Sequence, residues 1–112
     1  MNSRADYEIE FSSWAEQDLD ELIKYISEND SITRAVEVYL KIKEKVSHLS
    51  QFPDRGRIVP ELRRIRIKEY REIIHAPYRI IYMIKERTVF MMAVFDGRRE
   101  IADIIYQRIT GL

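Results

Sequence analysis

The sequence contains no cysteine. That excludes a disulfide framework, thiolate chemistry and any zinc site built on sulfur. It has only three glycines and three prolines. The glycines do not cluster, so no Gly-rich phosphate loop is present. The two histidines, His48 and His75, have no ligand-spaced partner, and neither a metal nor another cofactor is expected. No apolar run approaches the ~18 residues of a membrane span, and no signal peptide is recognisable. The serines sit at caps, and none lies in a nucleophile elbow. The expectation is a soluble, cytoplasmic single domain over residues 1–112, without membrane contact.

What is present is concentrated in two dense β-like runs, Tyr78–Lys85 and Thr88–Phe95, joined by a charged link at Glu86-Arg87. Tyr, Ile, Val, Phe and Met fill both, as strands prefer. In the first run Tyr78, Ile80, Tyr82 and Ile84 share one face, and Arg79, Ile81, Met83 and Lys85 the other. In the second, Val89, Met91, Ala93 and Phe95 lie opposite Phe90, Met92 and Val94. A strand apolar on both faces belongs at the centre of a sheet covered on both sides. Arg79 then stands out as a cation in the middle of the fold.

The net charge is zero but unevenly spread. Residues 1–54 carry 6 Lys/Arg against 12 Asp/Glu, and residues 55–112 carry 13 against 7. The stretch 55–79 alone holds 8 basic and 3 acidic residues. A basic half points to a polyanionic target or an acidic peptide partner. The alternative is that the two halves neutralise each other in the fold.

Taken in order, Tyr7–Phe11 alternates as a short strand. Ser13-Trp14-Ala15-Glu16 has the Ser-x-x-Glu spacing of a capping box and predicts a helix start. Ala15, Leu19, Leu22, Ile23 and Ile26 form its buried stripe, with Glu16, Asp18, Asp20 and Glu21 on the solvent face. Ser31 can cap a second helix, buried through Ala35, Tyr39, Ile42, Val46 and Leu49 and ended by Phe52-Pro53. The short turn between them predicts an antiparallel hairpin. A loop over 53–60 precedes an alternating Arg-Ile-Arg-Ile-Lys strand at 64–68 with one basic face. A bulge or bend near Glu69-Tyr70 follows, and the strand resumes over 70–76. The last helix is predicted over 98–109, with Gly111 just past its end. The expected class is α+β, in the order β-α-α-β-β-β-α, an antiparallel sheet covered by the N-terminal helical hairpin.

Two basic features invite a functional reading. Arg98 and Arg99 at a helix start would reinforce the anion-attracting N–H groups there. Alternatively they pair with Asp96 and Glu100. Arg79 can hold an anion, or it can pair with Glu72 or Glu69 on the neighbouring strand. Tyr78, Tyr82, Phe90 and Phe95 serve the core first.

Several pieces recur in a fixed order: Ala15…Asp18-Leu19…Ile23…Tyr25-Ile26, Ala35…Tyr39…Ile42, Leu49…Phe52-Pro53 and Gly56-Arg57. Tyr70-Arg71-Glu72, Tyr78-Arg79-Ile80-Ile81-Tyr82 and Val94…Gly97-Arg98-Arg99 complete the series. In this order the chain resembles the RelE/ParE superfamily of type II toxin–antitoxin toxins over nearly its whole length. The resemblance implies a compact, growth-inhibiting toxin of the plasmid-stabilisation kind, neutralised by a cognate antitoxin. RelE-like members cut mRNA on the ribosome, without metal, using cationic side chains. ParE-like members poison DNA gyrase and have no recognised catalytic residues. Arg79 and Arg99 match RelE-like arginines, but Tyr70 and Glu72 stand where that branch has two lysines. The Tyr70-Arg71-Glu72 and Gly97-Arg98-Arg99 signatures are closer to the ParE branch. A nuclease would use Glu72 or His75 as base, Arg79 and Arg99 on the phosphate and Tyr82 nearby. Target or antitoxin contacts would fall to Arg55, Arg57, Arg71, Arg79, Arg98 and Arg99. A third alternative is a non-toxic binding domain on the same scaffold. Neutralisation is expected to bring an acidic, amphipathic antitoxin segment onto the basic half.

Overall fold

The computed structural model describes residues 6–111. Strand β1 (Glu8–Phe11) leads into α1 (Ser13–Asn29) and α2 (Ile32–Ser47), followed by a single 3₁₀ turn. Then come β2 (Arg57–Ile58), the short helix α3 (Pro60–Arg63), β3 (Tyr70–His75), β4 (Tyr78–Lys85), β5 (Thr88–Asp96) and α4 (Ala102–Thr110). The sheet order is β1-β5-β4-β3-β2. Strands β2 to β5 pair antiparallel, and β1 joins β5 in parallel, so the sheet is mixed. The α+β class and the helical hairpin are as the sequence predicts. The brief β2 and α3 are additions.

Both helices of the hairpin start at serine caps. Ser31 Oγ accepts from the Arg34 N–H at 3.0 Å, as expected. For α1 the cap is Ser12, not Ser13, and it accepts from the Ala15 N–H at 3.0 Å. The Ser12 N–H also donates to Met91 O, which fixes this residue at the end of β1 and leaves Ser13 to begin the helix. In α2 the buried residue is Val38; Tyr39 lies 38% exposed on the flank.

The sheet is covered on both faces. On one, Leu19, Ile26, Val38, Ile42 and Val46 of the hairpin pack with Ile80, Tyr82, Val89 and Met91. On the other, Leu62 of α3 and Ile101 and Ile105 at α4 pack with Ile81, Ala93 and Phe95. The expected uniform alternation along β5 fails at one point. Ile81 pairs with Ala93 but Tyr82 with Met91, leaving Met92 as an extra residue. This bulge turns Val89 and Met91 to the hairpin and Ala93 and Phe95 to the other face. Because both faces are apolar, the alternation carries no signal of where its phase slips.

The predicted strand at 64–68 is not formed. Pro60 sits at the first helical position of α3, where its missing N–H costs nothing, and Leu62 is buried. The helix closes with Arg66 N–H to Arg63 O at 3.0 Å and Ile67 N–H to Leu62 O at 2.9 Å. These are the two bonds of a Schellman ending, with Ile67 and Leu62 in the same core. Its left-handed position, φ 68°, is occupied by Arg66 rather than glycine. We therefore expect Arg66→Gly to stabilise the domain by about 1 kcal/mol, because glycine adopts this conformation without a Cβ penalty. Urea unfolding of the two proteins checks this, and a midpoint that does not rise refutes it.

The last helix begins at Ala102, not Arg98. Asp96 accepts from the Arg98 N–H at 3.0 Å, and the Arg99 N–H donates to Asp96 O at 3.0 Å. That Asx turn holds the chain out of helix for several residues. Gly111 ends α4 at φ 77°, as predicted.

Candidate functional site

On the α3/α4 side of the sheet, β3 and β4 bring Glu72 and Arg79 together. Arg79 Nε donates to Glu72 Oε1 at 2.7 Å. Its two terminal nitrogens grip Glu61 of α3 in a bidentate pair, both at 2.7 Å. Glu72 Oε2 accepts from Arg57 Nε of β2 at 2.7 Å. The Glu72 side chain is 0% exposed and that of Arg79 11%. The result is a chain of alternating charges, Arg57–Glu72–Arg79–Glu61, tying β2, β3, β4 and α3 into one unit. The guanidinium of Arg79 holds the Glu61 carboxyl down to about 2, with burial opposing it. The same carboxylates push the Arg79 guanidinium upward, hydrogen bonding to Glu61 contributing most. Gly97 makes room: a Cβ there would lie 2.9 Å from Arg79 Cδ and 2.8 Å from Pro77 O.

The other candidates lie apart. His75 sits at the end of β3 on the hairpin side, the face shared by Ile73. Burial foremost, then Lys45, Arg34 and Lys41, lowers its pKa. Tyr82 is fully buried, donating to Pro53 O at 2.7 Å and accepting from the Gly56 N–H at 2.9 Å. Arg71 donates to Gly56 O at 2.7 Å, and Arg55 stacks over Phe52 at 5.4 Å. Arg98 pairs with Asp96 through two nitrogens, and this bond foremost holds the Asp96 carboxyl to about 2. Arg99 stacks over Phe95 at 5.3 Å. Both arginines border a cavity of about 450 Å³ with Asp18, Leu22, Tyr25 and Phe95. With the helix starting later, they do not reinforce a helix N-terminus.

Two structural residues escaped the sequence reading. Glu61, the bidentate partner of Arg79, fell beyond a predicted loop; its signal was the Pro-Glu pair that opens helices. Asp18, expected on the solvent face, instead accepts from the Val94 N–H at 3.0 Å and pairs with Arg108 of α4 at 2.7 and 3.0 Å. Strand β1 pairs with β5 only as far as Met91, so the edge of β5 beyond it is open to Asp18. Nothing in the local pattern of α1 reveals this, because the need arises on a strand 76 residues away.

Compared with protein families, residues 9–101 match that of the ParE toxin of the type II toxin–antitoxin system parDE. The chain belongs to the ParE toxin family. No curated protein matches it in sequence. Among solved structures, the chromosomal ParDE system of P. aeruginosa superposes with a TM-score of 0.67 at 16% identity, over 80% of this chain and 95% of that one. The RelBE2 toxin–antitoxin complex of Mycobacterium tuberculosis gives 0.56 at 22% identity, over 86% and 97%. At these identities the two structures speak for the ParE/RelE fold. The family match makes the chain a toxin of a type II system. No described helix is long and apolar enough to cross a membrane.

Proposed function

We propose that this toxin acts as a ParE-type inhibitor of DNA gyrase by protein contact, and that a cognate antitoxin neutralises it. One observation carries the choice over mRNA cleavage: Glu72 and Arg79, the central pair a nuclease would use, are already spent on one another and on Arg57 and Glu61. Both Glu72 oxygens are held by guanidinium N–H groups and its side chain is 0% exposed, so no substrate hydroxyl reaches the carboxylate. Arg79 directs Nε and both terminal nitrogens at carboxylates, leaving little to stabilise a phosphorane. His75 is on the other face, and the Tyr82 hydroxyl is buried and engaged at both ends. A toxin without a free acid–base pair can still act as a surface that traps its target. The family match supports the same branch.

Induction in cells without the antitoxin is expected to cause filamentation and DNA breaks. A gyrase allele selected for resistance should suppress both. In a purified supercoiling reaction the protein should inhibit gyrase, while a reconstituted translation reaction should keep its mRNA intact. Codon-positioned mRNA cuts with undisturbed supercoiling would refute the proposal.

A further inference from the structure

The loop over residues 60–69 has no assigned role. It is closed at its base by the Val59 N–H donating to Tyr70 O at 2.9 Å and filled from within by Leu62 and Ile67. It is thus a small packed unit rather than a slack connection. Four cations stand on it, Arg63, Arg64, Arg66 and Lys68, all exposed. Among the described residues none of the four has an ion-pair partner. The loop's own Glu61 is committed to Arg79, which leaves Glu69 as its other acid. The loop hangs from the β2–β3 end of the sheet, whereas acidic β1, with Glu8 and Glu10, forms the opposite edge. The cations of this loop are therefore held away from acidic β1, while the two halves meet elsewhere in the Asp18–Arg108 pair.

We propose that this loop is a docking surface for the phosphate backbone of double-stranded DNA. Unpaired cations without a groove or pocket supply sequence-independent attraction to a polyanion. An acidic protein segment would also need apolar anchorage, and Ile65, 53% exposed, is all the loop offers. A single strand would need aromatic platforms for its bases, and the loop contains no aromatic residue. The left-handed Arg66 fits the same role, since a cation stands where glycine would cost less. The proposal is independent of gyrase as target, and it gives a toxin acting beside bound DNA a second point of contact.

The test is fluorescence anisotropy of a short mixed-sequence DNA duplex with the full chain, across a potassium chloride series. With four phosphate contacts, log affinity should fall against log salt with a slope of about −3.6, or roughly 100-fold between 50 and 200 mM. Arg66→Gly, whose fold is expected to be reinforced, should lower that slope by about 0.9. Replacing all four cations with Gln should flatten it and abolish binding. The proposal is overturned if the wild type does not bind duplex at low salt, or if Arg66→Gly and the Gln variant bind as the wild type does. It is equally overturned if polyglutamate or single-stranded RNA is held more tightly than duplex through these same residues. Gyrase inhibition persisting in a Gln variant that no longer holds DNA would support the DNA surface and separate it from the gyrase contact.

Discussion

Replacing Arg79 with Ala is expected to destabilise the domain by about 3–5 kcal/mol, the cost of removing one partner from a buried ion pair. Glu72, wholly buried, keeps only Arg57, whose own side chain is 61% exposed. Glu61 loses both of its short bonds, and with them the tie between α3 and β4. At about 4 °C per kcal/mol for a domain of this size, the melting midpoint should fall by roughly 12–20 °C. Glu72→Gln should cost less, because an amide fills the same space and its oxygen still accepts from one guanidinium, while its NH2 cannot accept from the other. The pH dependence separates this network from simple packing. The Glu61 carboxyl is held down to about 2 from its ordinary 4.5, so its contribution is present above pH 4.5 and lost as pH falls toward 2. Wild-type stability should therefore decline through that window. In Arg79→Ala the Glu61 share of the decline should shrink, keeping only what the helix backbone and Arg64 supply, while the share from Asp96, held low by Arg98, remains. Thermal unfolding across pH 2–6 checks both parts. A midpoint within about 4 °C of wild type at neutral pH would show that the network does not hold the fold.

The fold was legible where local chemistry and tertiary need agree. Tyr78–Lys85 forms β4 with the predicted boundaries, because its alternation, β-branched content and flanking turns all require a strand. Ser31 and Gly111 act as a cap and a left-handed end, roles set within a few residues of themselves. The errors arose where a local pattern met a distant constraint. Arg-Ile-Arg-Ile-Lys alternates as a strand should, yet Ile65 is exposed and Ile67 half-buried, because Pro60 had already begun a helix and Leu62 had claimed the core. Arg98 and Arg99 read as a helix start until Asp96 is seen to cap the turn ahead of them.

The site was half legible for the same reason. A cation within a central strand demands a carboxylate, and Glu72 was one of two candidates on the adjacent strand. That it is spanned by Arg57 on the far side, and that Glu61 supplies the bidentate grip, follows from the pairing of β2 with β3 and from α3. Neither element is long enough to announce itself in sequence.

Gly56→Ala should be nearly as damaging as the loss of Arg79, although it removes no interaction. The backbone of Gly56 passes so close to β3 and β4 that a Cβ would stand 2.5 Å from Glu72 O and 2.7 Å from Tyr82 Oη. One obstacle is main chain within a paired strand and the other a fully buried ring, so neither can swing aside. Relief requires moving the loop away from β3. That shift would lengthen the Gly56 N–H bond to Tyr82, the Arg71 bond to Gly56 O and the Tyr82 bond to Pro53 O together. Overpacking at such a point costs about 3 kcal/mol. Tyr82→Phe removes the hydroxyl but leaves ring carbon Cε1 2.9 Å from that Cβ; it also deletes two hydrogen bonds, and should by itself cost about 1–3 kcal/mol. In the double variant the missing hydroxyl relieves part of the clash, so the combined loss should be smaller than the sum of the two. The collision with Glu72 O remains, however, and the double variant should stay less stable than Tyr82→Phe alone. Urea unfolding of the four proteins in this cycle checks the ordering. Strict additivity would mean that Gly56 acts through some contact other than the Tyr82 hydroxyl.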